Sequence, residues 1–145
     1  MKVVINRCYG GFGVSEALIR RVAEERGLTL YPDSRHGGLL TIWWTVPPDD
    51  PNRIYNEKAQ RGETWAGLSR VEKLQVNTFY NDFTIPTGSA WDRTDPLLVR
   101  LVEELGTKAD GPHAELEVVE IPDGVEWEIS EYDGIETIHE KHRSW

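Results

Sequence analysis

The sequence predicts an α+β domain of mixed α/β element order, with one mainly antiparallel sheet, two helices packed on it and an irregular middle insertion. Three observations carry this. Glu16–Arg26 and the segment after Thr94-Asp95-Pro96 place apolar residues at helical spacing behind clear start signals. Several short runs are rich in β-branched and aromatic residues. Near the C-terminus such runs are separated by Pro122-Asp123-Gly124 and Asp133-Gly134, which read as hairpin turns.

In chain order, Lys2 to Cys8 reads as a strand. Val3, Val4 and Ile5 are consecutive, as in a strand buried on both faces. Tyr9 to Gly13 is a glycine-rich loop, and Ser15 is a good N-cap for the helix that follows. Ala17, Leu18, Val22 and Ala23 form its apolar stripe, and Gly27 its stop. Leu28 to Tyr31 is expected to form a short strand stopped by Pro32, with Asp33 to Gly38 a polar loop. Leu39 to Val46 is a second strand, with Trp43 and Trp44 on opposite faces.

Residues 47–92 read as an insertion or lid within a single domain, 1–145. A short helix is expected around Ile54 to Gln60, and Leu68 to Thr78 is compatible with helix or strand. Pro96 at the first helical position and Gly106 at the end bound the second helix. Ala114 to Ile121 is a strand. If Asp133-Gly134 is a two-residue turn, Tyr132 faces Ile135, Ile129 faces Ile138, Glu128 faces His139 and Glu126 faces Lys141, a register with two opposite-charge pairs.

The charge is unevenly placed. Residues 1–109 carry 14 basic and 14 acidic side chains. Residues 110–145 carry 11 acidic and 2 basic, so the whole formal charge of −9 lies in the last quarter. Such a field repels nucleic acid and suits a basic partner or a solvated face. No segment reads as a signal peptide or a membrane span. One cysteine excludes an internal disulfide and a cysteine-rich zinc site, and a reducing cytoplasm is the expected compartment.

The densest local signal is Asn6 to Ser15. Glycines beside a helix N-terminus expose backbone N–H groups that bind anions. Gly10-Gly11-x-Gly13 matches neither standard phosphate-loop signature. Two readings stand: a site for a small anionic, nucleotide-like ligand, using Arg7, Tyr9, Gly10, Gly11, Phe12, Gly13 and Ser15, or a tight turn that needs positive φ. Cys8 near the helix start is a candidate nucleophile, although no histidine is close in sequence. His139 and His142 do not face one way on a strand, so neither a metal site nor any cofactor is expected. The acidic C-terminal hairpins, with Glu126, Glu128, Glu131 and the terminal Trp145, are the candidate partner surface.

The stretch V-I-N-x-C-Y-G-G-F-G at Val4–Gly13 resembles the start of a group of small uncharacterised proteins encoded by bacteriophages and prophages. R-T-D-P-L-L-V-x-x-V-E-E-L-G at Arg93–Gly106, V-E-W-E-I-x-E-Y-D-G at Val125–Gly134 and E-K-H-R-x-W at Glu140–Trp145 extend the resemblance in the same order. It implies an accessory protein acting inside a bacterial host cell, and no particular chemistry. Small phage accessory proteins often counter host defences, by sequestering a nucleotide signal or by blocking a protein. Three functions follow as expectations: a binder of a small anionic ligand at the glycine loop, an inhibitor that presents acidic hairpins to a basic host protein, or an enzyme using Cys8 or a carboxylate pair.

Overall fold

The computed structural model describes residues 1–35, 38, 40–51, 53 and 65–141. It is an α+β fold with antiparallel strand pairing throughout. The chain divides into two compact units, residues 1–25 with 87–145, and residues 26–86. The expected insertion, 47–92, falls largely in the second, which also takes in the strands before it. Where one sheet was expected, the strands pair in three separate ones.

In the first unit, β1 (Lys2–Asn6) pairs antiparallel with β5 (Leu116–Glu120), Val4 opposite Val118. Val3, Val4, Ile5 and Asn6 are all buried, as a strand covered on both faces requires. The other edge of β1 is also occupied: Val4 N donates to Arg93 O at 2.9 Å. Helix α1 (Glu16–Arg26) buries Leu18, Ile19, Val22 and Ala23. Ser15 Oγ accepts from Leu18 N at 3.1 Å, so it caps α1, and Gly27 adopts φ 66° where a left-handed stop was expected.

Helix α3 (Pro96–Leu105) buries Leu98, Val99, Leu101 and Val102, and Asp95 caps it by accepting from Leu97 N. These faces and β1 form the core of this unit. Arg100 bridges Glu25 of α1 and Glu104 of its own helix, and Arg21 reaches Glu104.

Strands β6 (Trp127–Tyr132) and β7 (Ile135–Glu140) form a hairpin in the expected register: Tyr132 opposite Ile135, Ile129 opposite Ile138, Glu128 opposite His139. Lys141 N donates to Glu126 O, which continues the ladder. Asp133 (φ 52°) and Gly134 (φ 92°) both lie left-handed, the requirement of a type I′ turn. Pro122-Asp123-Gly124 also turns the chain, but β5 and β6 do not pair across it; β5 is taken by β1, so there is one acidic hairpin instead of two.

The second unit holds β2 (Tyr31–Arg35), β3 (Leu40–Trp44), α2 (Arg70–Asp82) and β4 (Thr84–Ile85), with sheet order β2-β3-β4. The strand expected at Leu28–Tyr31 lies further on, over residues expected to loop. Pro32 is tolerated because β2 is an edge strand, where one row of N–H groups has no ladder to serve. Ser69 and Glu72 form a reciprocal capping box that starts α2, which decides the ambiguous 68–78 stretch in favour of helix. Trp44 is fully buried, edge-on to Tyr80 at 5.7 Å and 6.3 Å from Phe79. The helix expected at 54–60 lies outside the described residues. No helix among the described residues is long and apolar enough to cross a membrane.

Candidate functional site

The glycine loop leaves β1 at Asn6, whose side chain is fully buried and fully engaged. Its Nδ2 donates to Cys8 O (2.8 Å) and Gly134 O (2.7 Å), and its Oδ1 accepts from Cys8 N (3.2 Å) and Glu115 N (2.9 Å). Two donated and two accepted bonds use an amide's whole capacity and fix which end is oxygen. One side chain thereby ties together the loop, the β6–β7 turn and the segment entering β5.

Asn6 N donates to Glu136 Oε1 at 2.8 Å. Glu136 also takes both prongs of Arg93, at 2.6 and 2.9 Å, and Arg93 lies 3.7 Å over the Phe12 ring. A bidentate pair stacked on an aromatic is the geometry a planar guanidinium favours. Asn6, Arg93 and Glu136 were not among the expected site residues. Apart from Cys8, their partners are distant in sequence, and the one local signal was a polar side chain, Asn6, ending an apolar strand.

The expected ligand residues are placed as follows. Arg7 Nε contacts Glu117 Oε2 at 2.8 Å, and its Nη1 reaches Glu136 O at 3.5 Å. Tyr9 is 63% exposed. Phe12 covers Arg93. Ser15 Oγ, besides capping α1, donates to Lys108 O at 2.6 Å. Gly10 and Gly11 adopt φ 113° and 98°. A Cβ on Gly10 would lie 2.8 Å from His113 Cβ, and one on Gly111 would lie 2.8 Å from the Gly13 carbonyl carbon. Gly111 N donates to Gly13 O at 2.9 Å. These glycines therefore serve positive φ and close backbone approach, and the side chains of Arg7 and Ser15 beside them are engaged within the chain.

Cys8 is half-buried, and no hydrogen bond joins its thiol to a histidine among the described residues. His113, far from it in sequence, does pack beside Gly10. The described residues contain no cluster of metal-ligating side chains. Trp145 and His142 lie outside the described residues.

On the hairpin, cross-strand partners share a face. Glu126, Glu128, Ser130 and Tyr132 stand on the outer one with Ile135, Thr137, His139 and Lys141, and Tyr132 is 81% exposed. Glu131 differs from its expected role: it stands on the other face opposite Glu136, and its Oε1 accepts from Gly134 N at 2.6 Å, holding the turn. Glu128 Oε1 lies 2.8 Å from His139 Nε2. Ser130 Oγ lies 3.5 Å from both nitrogens of the same ring. A hydrolytic triad needs serine and acid on opposite nitrogens, so this exposed trio is not arranged as one.

A groove of about 710 Å³ lies over α3 and the start of β1, bordered by Thr94, Pro96, Val99 and the Lys2–Glu103 ion pair. Another of about 370 Å³ runs along α2. No family model, curated protein or solved structure matches this chain.

Proposed function

We propose that the protein is a binding module that engages a basic protein surface through the outer face of the β6–β7 hairpin. The observation that carries this is the placement of Glu126, Glu128 and a tyrosine that is 81% exposed on one face of one hairpin. An exposed tyrosine is costly to hydrate and effective as an interface anchor, and flanking carboxylates steer and orient a cationic partner. The engagement of Arg7, Phe12 and Ser15 within the chain supports the glycine loop as scaffold for this face. The resemblance to phage-encoded proteins makes a host-cell protein the natural partner, with inhibition as the outcome.

The test is affinity capture from bacterial lysate with the wild type, Tyr132→Ala, the pair Glu126→Lys with Glu128→Lys, and a control pair away from the hairpin, Glu115→Lys just before β5 with Glu120→Lys at its end. The reading requires one captured protein that is lost with the hairpin variants, kept with the control, and released by salt. Capture insensitive to the hairpin face overturns it. A nucleotide that raises the wild-type melting temperature would instead support a ligand at the glycine loop.

A further inference from the structure

Helix α2 carries large apolar side chains that are exposed. Val71 is 64% exposed, Leu74 59% and Phe83 38%, and with Gln75, Thr78 and Phe79 they line the groove of about 370 Å³. The spacing of Val71, Leu74, Thr78 and Phe79 makes one continuous stripe along the helix. The buried side of α2 is met by Val76 instead. An exposed apolar stripe of this kind marks an interaction surface.

We propose that this stripe is a homodimer interface, with a second copy laying its own α2 antiparallel across it. The charges at the two ends of the helix select that occupant. Arg70 is the first residue of α2 and Asp82 its last. A two-fold axis near the helix centre sets Arg70 of each copy beside Asp82 of the other, while Leu74 meets Thr78. A parallel pairing would oppose like charges at each end. Residues 26–86 carry seven basic and seven acidic side chains, so this unit does not repel its own copy. The helix of 13 residues is about 20 Å long, which makes the dimer weak and concentration-dependent.

Sedimentation velocity of the full chain from about 10 μM to 1 mM tests this, with far-UV circular dichroism on every variant. The wild type is expected to pass from monomer to dimer across the range. Leu74→Asp is expected to remain monomeric with unchanged helix signal, since that side chain is largely exposed. Arg70→Glu and Asp82→Arg each place a favourable charge at their helix end, so neither weakens α2 itself. Each is expected to raise the dissociation constant by about tenfold, and the double variant to restore it. A wild type that stays monomeric, a dimer indifferent to Leu74→Asp, or a double variant as weak as the single ones overturns the proposal.

Discussion

Arg93 and Glu136 form a buried two-pronged ion pair, Nη1 to Oε1 at 2.6 Å and Nη2 to Oε2 at 2.9 Å. Their side chains are only 11% and 7% exposed. The pair links the segment before α3 to β7, and Glu136 passes the connection to Asn6 N at the end of β1. The hairpin's position on the first unit is thus held by a charge pair and a backbone donor. On its outer face Glu126, Glu128 and Tyr132 are exposed.

Breaking the pair by removing one partner leaves an uncompensated charge in a largely buried site. Arg93→Met is expected to cost about 3–5 kcal/mol in urea unfolding, and Glu136→Leu a similar amount. Arg93→Lys loses the fork and the stacking on Phe12, so it should recover only part of the loss. A change below about 1 kcal/mol in either single variant would show that the pair does not hold the hairpin.

Glycines at two turns provide a controlled comparison. Gly124 has φ 80° and open space around a would-be Cβ, whereas Gly134 has φ 92° and its Cβ would press on Gly11 N and lie 2.6 Å from Gly10 N. Gly124→Ala is expected to cost about 1 kcal/mol, from backbone strain alone. Gly134→Ala adds a backbone clash that no rotamer relieves, so thermal or urea unfolding should show a loss at least ~2-fold larger. Equal losses would mean that the turn and the glycine loop are not in close contact.

Acid should loosen the ties between α1 and α3. Hydrogen bonds and charge from Arg100, with Arg21 contributing, hold the Glu25 and Glu104 carboxyls below their ordinary value of 4.5. The backbone N–H of Thr94 and then its hydroxyl hold Asp92 below 3.8. A carboxyl with a lowered folded pKa stabilises the fold above its unfolded value, and that contribution is lost as the pH falls through the folded value. Stability is therefore expected to be flat above pH 4.5 with respect to the two glutamates and to decline below it. Arg100→Ala should flatten that decline, and added salt should mimic the variant, because these pairs are exposed. Unfolding curves at a series of pH values check this.

Local signals explain what was legible in the sequence. Ser15, Asp95-Pro96, Gly27 and Gly106 act within a turn of the backbone they stop or start, and Asp133-Gly134 sets a register by its own dihedral angles. Ser69 and Glu72 carried the same kind of signal for α2. The β2 strand was hidden because Pro32 and Asp33 read as stops, and only pairing with β3 makes an edge position for them. The hub of Asn6, Arg93 and Glu136 was hidden for a deeper reason. Apart from the two bonds between Asn6 and Cys8, its bonds join residues far apart in sequence, so Glu136 looked like one more solvated acid, and nothing local placed Gly134, Gly111 and His113 beside the glycine loop.

Asn6 gives the sharpest test of that hub. Its amide donates to two carbonyl oxygens and accepts from two backbone N–H groups, so no other side chain of the same shape can replace it. Asn6→Asp keeps the volume but turns an oxygen toward Cys8 O and Gly134 O, with the Glu136 carboxylate already bonded to the backbone N–H of residue 6. Desolvation and these oxygens both disfavour a charge there, so the new carboxyl has a raised folded pKa. When protonated it regains one of the two lost donors; when ionised it regains none. The loss relative to wild type is thus expected to be smallest below the unfolded aspartate value of about 3.9 and to grow as the pH rises through the raised folded value, exceeding ~3 kcal/mol near neutrality. Asn6→Leu, which leaves four backbone groups unpaired at every pH, should be destabilised without that dependence. Chemical unfolding of the two variants at pH 4 and 7 separates the cases, and a pH-independent Asn6→Asp penalty would mean that the amide's donors are not what joins the loop to the hairpin.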